Sequence, residues 1–446
     1  DPVEPEPHPT LVGDVTTDLC IVGAGYTGLW TALLAKERNP EREVIIVEQR
    51  ETGFGASGRN GGFCNSSLTH GFINGYRRFK DDMQDLERMG RENLDQIEET
   101  IKKYGIDCDW QRTGELRVAV KEWQLDGMKE EAALRNQYGD HVEVLSQSEV
   151  QARVNSPIYK GALWDADGTA LVDPARLVWG LEKVCLKLGV KIYENSKVEW
   201  LERTSDGIIV HTPYGSVYSD KVALATNVFK SLIKRARKYV VPVYDFQLVT
   251  EPLTPEQWKA IGWSGKEGLS EAGNQFHYYR VTSEGAILWG GYDAIYHFRG
   301  KARQEYETDA ETYAYLAADF LETFPQLKGI KFTHGWGGAI DTCSRFAPFW
   351  GRAYRKRVAY VLGFTGLGVA STRFGAQVLL DLVDGLDTER TRLKMVRRKP
   401  LPFPPEPFRF LFIRLTQWSI NYADEHDGKR NLWLKLLDRL GLGFDS

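Results

Sequence analysis

The sequence predicts an α/β chain of two or three structural units, opening on a β-α-β unit. Three observations carry this expectation. An apolar run over 17–22 leads straight into Gly23-Ala24-Gly25-Tyr26-Thr27-Gly28, and a helical pattern over 26–38 opens on that turn. A second apolar run over 43–47 ends in Glu48, twenty residues beyond Gly28. Two further glycine loops, 55–62 and 363–368, each stand directly after a predicted strand.

The spacing of the first turn has a chemical reading. Gly23 permits the tight turn, Gly25 lets the backbone approach a pyrophosphate, and Gly28 lets helix and strand pack closely, the Rossmann-like arrangement. The helix start offers free N–H groups and a positive dipole to phosphate. Glu48, followed by Gln49 and Arg50, can accept both hydrogen bonds of a ribose diol. An acid there favours an unphosphorylated ribose, hence FAD or NAD. The run Ala56-Ser57-Gly58-Arg59-Asn60-Gly61-Gly62 can wrap a long cofactor with its backbone. Gly363-Phe364-Thr365-Gly366-Leu367-Gly368 sets a second helix start where negative charge develops on a reduced flavin. The joint spacing selects FAD. No second full dinucleotide unit follows mid-chain, so no NADPH site of the pyridine-nucleotide reductase kind is expected.

Along the rest of the chain, 50–68 reads as a loop and 76–104 as one or two helices. A strand is expected at 117–120 and a helix at 122–138. Another helix, 174–188, starts from Asp173 as N-cap with Pro174 behind it. Strands are expected at 191–194, 197–203, 207–212 and 221–226. Aromatic-rich strands follow at 240–250, 275–282 and 285–291, then a helix at 309–324. A strand at 358–362 precedes the last glycine loop and a helix to about 383. A Pro-rich linker, 400–407, leads to an amphipathic tail over 408–440. Asp424, Glu425 and Asp427 argue against membrane binding by that tail, which is expected to pack on its own domain or on a second copy in a homodimer.

Composition narrows the class. The chain has 446 residues, 42% hydrophobic and 26% charged, with net charge −4. That balance does not suit a nucleic-acid partner. Five scattered cysteines without a C-x-x-C pair argue against a disulfide framework, a zinc site or a dithiol centre, and no metal site is expected. The cysteine usage suggests a reduced, cytoplasmic setting. No run of about 18 apolar residues suggests a membrane span. The acidic, Pro-rich start, 1–14, lacks signal-peptide features and reads as a flexible arm.

With these loops the chain resembles the D-amino-acid oxidase superfamily of flavoproteins, which includes glycine oxidase, sarcosine oxidase and γ-glutamylputrescine oxidase. The residues that carry the resemblance are 22–28, 56–62, Ala225-Thr226-Asn227, Trp336-Gly337-Gly338 and Gly363-Phe364-Thr365-Gly366, within roughly 15–385. The γ-glutamylputrescine oxidase-like branch looks closest, from the run beginning at Ser57 and the stretch from Trp336 to Asp341. The resemblance implies a discontinuous, GR2-type FAD-binding domain from 15–104, 166–240 and 335–399. It implies a mixed antiparallel-sheet α+β substrate domain from 105–165 and 241–334, with 400–446 as linker and tail. It implies hydride transfer from a C–H beside an amine nitrogen to flavin N5, hydrolysis of the imine, and electron transfer to O2 or another acceptor. Backbone near Val198 would meet the adenine, with Thr226 and Gly338 near the cofactor.

Departures from the family bear on substrate and linkage. No Arg stands in 335–342, where D-amino-acid oxidases clamp the substrate carboxylate. Leu367 and Ala370 stand where monomeric sarcosine oxidases carry His and Lys. A carboxylate needs a fixed cation, so simple α-amino acids are disfavoured unless Arg280, Arg345 or Arg373 serves. Ala339 falls where a cysteinyl-flavin bond would form, Cys343 looks out of register, and no His follows the Ser57 loop. The expectation is non-covalent FAD. Trp289 lies near the place of an oxygen-activating Lys.

For the substrate, an aromatic box and a carboxylate are sought. Tyr244, Phe246, His277, Tyr278 and Tyr279 lie on the expected strands 240–250 and 275–282, whose sheet the resemblance implies would roof the flavin, with Trp289, Tyr292 and Asp293 on the next. Alternation sends His277 and Tyr279 to one face and Tyr278 to the other; which face meets the flavin is left open. Asp341 is the candidate to hold an ammonium or take its proton, against the alternative of a solvated or Arg345-paired carboxylate. His277 is a further candidate base, against the alternative of a satisfied structural histidine. The expected activity is FAD-dependent oxidation of a C–N bond of an amine. The alternatives are a dehydrogenase feeding a quinone or carrier, on an aminophosphonate or hydroxy compound, and a non-catalytic flavin-binding subunit.

Overall fold

The computed structural model describes residues 5–292 and 294–442. Two eight-stranded sheets organise them. In the first, Gly13–Val22 pairs in parallel with Val44–Val47 on one side and Gly215–Leu224 on the other. Lys191–Tyr193 and Val358–Leu362 extend the two flanks in parallel, and Phe349–Ala353 closes one edge antiparallel. All four residues of Val44–Val47 and all five of Val358–Leu362 are buried. Strands covered on both faces read as unbroken apolar runs for this reason. The helix Tyr26–Arg38 is buried without a break from Tyr26 to Ala35. It lies between Pro174–Lys187 and Ser371–Asp384, so no face of its first ten residues reaches water.

The second sheet is antiparallel except where Gly268–Glu271 runs parallel to Glu115–Ala119. Its order is Phe332–Cys343, Val240–Thr250, Ile287–Gly291, His277–Val281, Gly268–Glu271, Glu115–Ala119, Gly161–Asp165 and Val142–Ser146. The helix Ala310–Thr323 packs on one face. Phe332–Cys343 keeps its ladder with Val240–Thr250 past residue 335, where the sequence suggested a boundary. It thereby delivers Gly338 and Asp341 to the junction of the two sheets.

Several elements differ from the sequence expectation. The 197–203 strand shortens to Trp200–Arg203, and the loop over 50–68 holds a short strand, Phe63–Asn65, paired with Thr169–Leu171. Val142–Ser146, Gly161–Asp165 and Gly268–Glu271 carried no clear signal. The arm is tied down over its described part. Leu11 is buried, the His8 N–H donates to Glu194, and the His8 ring pairs with Glu182. The tail forms two helices, Phe408–Glu425 and Leu432–Arg439. All five cysteines are buried and unpaired.

Candidate active site

The first turn is built by close backbone approach. A Cβ on Gly28 would lie 1.8 Å from the Gly23 carbonyl oxygen, and one on Gly25 would lie 2.8 Å from Ser57 Oγ. Ser57 Oγ accepts the Tyr26 N–H at 2.9 Å, so the second glycine loop closes on the first helix turn. Asn60 ties that second loop together: its amide donates to the Ala56 and Ser57 carbonyls, and its Oδ1 accepts from Gly62 N–H. The Glu48 carboxylate reaches back to the turn, accepting from Ala24 N–H at 2.8 Å and Arg50 N–H at 3.0 Å. Burial raises its pKa, and these backbone donors, with that of Gln49, oppose the rise. Thr27 sits in the first helical turn, where its carbonyl accepts from Thr31. Val198 is buried beside the same sheet. Thr226 holds a buried Oγ1 with no described partner, the kind of orphaned group a bound ligand satisfies.

The third loop is held from below by Asp341. Its carboxylate accepts the N–H groups of Gly363 at 2.5 Å, Phe364 at 3.1 Å and Thr365 at 3.4 Å. Burial pushes this carboxyl up to about 7, against the pull of those donors. Thr365 and Gly366 adopt positive φ. Residues 366–369 then border a cavity of about 750 Å³ between the two sheets.

One face of the second sheet forms the roof of this cavity. Gln247, Gly290, Tyr278, Ser270, Arg117 and Leu163 stand opposite one another in a single register row across six strands. Five of the six border the cavity, the exception being Gly290, and Asp245 and Gly338 do so one step along. Successive strand residues point to opposite faces. Tyr244, Phe246, Tyr279 and Trp289 therefore turn away, into a core with Phe320 and Phe324. Trp289 packs 4.5 Å from Tyr279 and 5.5 Å from Phe320, ring centre to ring centre. His277 is buried on that far face between Glu271 and Asp319, which raise its pKa to about 9 against the cost of burial.

The expected aromatic box thus divides. Tyr278 and Tyr292 border the cavity, whereas Tyr244, Phe246, Tyr279, Trp289 and His277 do not, a correction that follows from the register row. Asp293 lies outside the described residues. Arg345 pairs with neither Asp341 nor the cavity; its guanidinium donates to the carbonyls of Ala347, Pro348, Met395 and Arg398. Arg280 donates to the Gly61 and Val281 carbonyls, and Arg373 to Asn93 and Gln96. None of the three proposed carboxylate anchors borders the cavity.

Other cavity residues had gone unread. Asp245 and Gln247 lie on a strand whose alternation is visible in the sequence, interleaved with the aromatics Tyr244 and Phe246. Glu115, Ser270 and Arg117 come from strands with little signal. His70 borders the cavity from a loop, and burial lowers its pKa to about 4. The tail supplies apolar wall through Phe403, Phe412, Ile413 and Ile420. It is anchored by Asp424, which accepts from Asn274 and Gln275, and by Glu406, which accepts from Tyr296 at 2.6 Å. Away from the cavity, His8, Glu182 and Glu194 place ligand-type atoms within 4.8 Å of one another. Hydrogen bonds among themselves and from Thr52 N–H engage these atoms, making the cluster a clasp on the arm.

A phosphate-binding turn, a ribose-type acid and a roofed cavity define a dinucleotide-dependent oxidoreductase. The chain belongs to the FAD dependent oxidoreductase family, whose model matches residues 18–382. Its cofactor is FAD, which the turn, the orphaned Thr226 hydroxyl and the third loop fit. The chain is 31% identical to gamma-glutamylputrescine oxidoreductase of Escherichia coli, over 86% of this chain and 87% of that one. It is 30% identical to the probable oxidoreductase OrdL of Haemophilus influenzae, over 86% of each. Among solved structures, glycine oxidase from Bacillus cereus superposes with a TM-score of 0.70 at 19% identity, over 86% of this chain and 99% of that one. L-proline dehydrogenase from P.horikoshii gives 0.68 at 17%, over 87% and 96%. No described helix is long and apolar enough to cross a membrane.

Proposed function

We propose that the protein oxidises a C–N bond of a cationic amine that lacks a simple α-carboxylate. The observation that carries this reading is the state of the cavity's charges. Its arginines are Arg59, Arg117 and Arg135. Arg59 pairs with Glu307 at 2.6 Å, Arg117 with Glu131, and Arg135 with Asp140 and Asp165. No lysine borders the cavity among the described residues, whereas the acids Asp245 and Glu115 do. A carboxylate would find each cation already engaged; an ammonium would find acceptors. Similarity to gamma-glutamylputrescine oxidoreductase supports the same choice.

Bound FAD, held non-covalently in this reading, supplies the hydride acceptor. The protein's part is to seat the amine, exclude water under the roof and tail, and take a proton from nitrogen. The imine product then hydrolyses, and the electrons pass to O2 or another acceptor. Anaerobic mixing of the yellow protein with amines, α-amino acids and aminophosphonates, read at the visible flavin band, tests this. Amines are expected to bleach the band. Bleaching by glycine or D-alanine alone would overturn the reading. Admitting oxygen afterwards reports the acceptor: rapid return of colour marks an oxidase.

A further inference from the structure

Tyr278 and Asp245 lie on strands separated by Ile287–Gly291, yet their side chains meet. Tyr278 Oη donates to Asp245 Oδ2 at 2.5 Å. The phenol crosses Gly290 to get there. A Cβ on Gly290 would lie 2.9 Å from Tyr278 Oη and 2.6 Å from Gln247 Cγ, so glycine alone leaves the path open. On the other side of the ring, a Cβ on Gly61 would lie 2.5 Å from Cε2. Opposite Asp245 in the ladder stands Gly338, where a Cβ would meet nothing within 4 Å, so the carboxylate borders open cavity. Among the described residues no Lys or Arg forms an ion pair with Asp245, which borders the cavity from the second strand of the roof sheet.

We propose that Asp245, oriented by Tyr278 across Gly290, is where the substrate's ammonium group docks and gives up its proton. The proposal rests on the amine reading above and names the group that reading leaves unassigned. In the step, an N–H bond of the ammonium breaks and an O–H bond forms on Asp245. The electron pair stays on nitrogen, and no oxidation occurs until a hydride leaves the adjacent carbon. Asp341 is poorly placed for this, because three backbone N–H groups already engage its oxygens. His277 is on the far face of the sheet. Burial raises the Asp245 carboxyl to about 6, while the Tyr278 hydrogen bond and, through space, His277 lower it. Glu271, Asp341 and Tyr292 are other titratable groups bordering the cavity. Exclusion from water favours the neutral amine and neutral acid over the ion pair, which eases the transfer.

The test uses tert-butylammonium, a cation with no hydrogen on the carbon beside nitrogen, so it can bind but cannot be oxidised. Wild-type holoprotein is titrated and the flavin difference spectrum followed. Saturable perturbation is expected, weakened at least tenfold in Asp245→Asn and several-fold in Tyr278→Phe and Gly290→Ala. Retained yellow colour reports that each variant is folded and loaded. In Tyr278→Phe the pH limb of binding should move upward, since a donor that lowers the Asp245 pKa is gone; a merely structural tyrosine would leave it in place. Equal binding by Asp245→Asn, or no perturbation of wild type, overturns the proposal. If amines bleach wild type and Asp245→Asn alike, the amine reading stands and the role of Asp245 falls. If no amine bleaches wild type, the amine reading itself falls.

Discussion

Replacing Gly28 by alanine asks whether the first turn is held by sterics or only by preference. The new Cβ would sit 1.8 Å from the Gly23 carbonyl oxygen and 3.0 Å from its carbon. Both are backbone atoms, so no side chain can swing aside, and the helix Tyr26–Arg38 must withdraw from Gly13–Val22. That helix is buried over its first ten residues, so withdrawal disturbs packing on every side. Overpacking of this kind costs about 3 kcal/mol, and alanine's helix preference returns about 1. The net loss is about 2 kcal/mol. At about 2.1 cal/mol/K of unfolding entropy per residue, a 446-residue chain should melt about 2 °C lower. The larger effect should fall on FAD, because the phosphate-facing N–H groups move with the helix. Gly338→Ala is the matched contrast. Its Cβ meets no atom within 4 Å, so the apoprotein should melt unchanged, while FAD occupancy is expected to drop as the methyl group enters the cavity space proposed for the cofactor. Melting with and without FAD, together with the ratio of flavin to protein absorbance, reads both. A Gly28→Ala protein that purifies with one FAD per chain and an unchanged melting point would refute the reasoning.

Acid pH should destabilise the protein through His70, whose folded pKa of about 4 lies below its ordinary 6.5. Above pH 6.5 both states are neutral and nothing is lost; as pH falls from 6.5 towards 4, only the unfolded chain takes up the proton. The loss is about 2 kcal/mol at pH 5, and urea midpoints at pH 8 and pH 5 should show it shrinking in His70→Asn; an unchanged pH dependence would count against it. Asp424→Ala removes the acceptor that ties the tail to Asn274 and Gln275, and charged hydrogen bonds of this type are worth about 1.5–3 kcal/mol each. Iodide should then quench flavin fluorescence at least twice as efficiently, since Phe412 and Ile420 no longer cover the cavity; equal quenching would show that the tail is not its cover.

Local patterns were legible where one stretch of chain holds all the information. The helix expected over 26–38 appears as Tyr26–Arg38, and the strand over 358–362 as Val358–Leu362. Asp173 caps its helix through Arg176 N–H, as the Asp-Pro pair suggested. Short strands such as Gly161–Asp165 and Gly268–Glu271 stayed hidden, because their order comes from neighbours distant in sequence rather than from their own alternation. The N-terminal arm was misread for the same reason, since Glu182 and Glu194, which hold His8, lie far along the chain.

The sequence by itself determined the cofactor. G-x-G-x-x-G, Glu48 and the two later glycine loops act through backbone geometry, which is local and so written in residue type and spacing. Through the family resemblance it also raised the expectation that the usual carboxylate anchors are missing. Only the tertiary structure decided which face of the second sheet meets the cavity. Strand alternation separates Tyr278 from His277 and Tyr279 but cannot say which side is inside. The register row from Gln247 to Leu163 and the helix Ala310–Thr323 settle that side. The cavity floor of glycine loops excludes bulk on one face, and Phe320 and Phe324 fill the other.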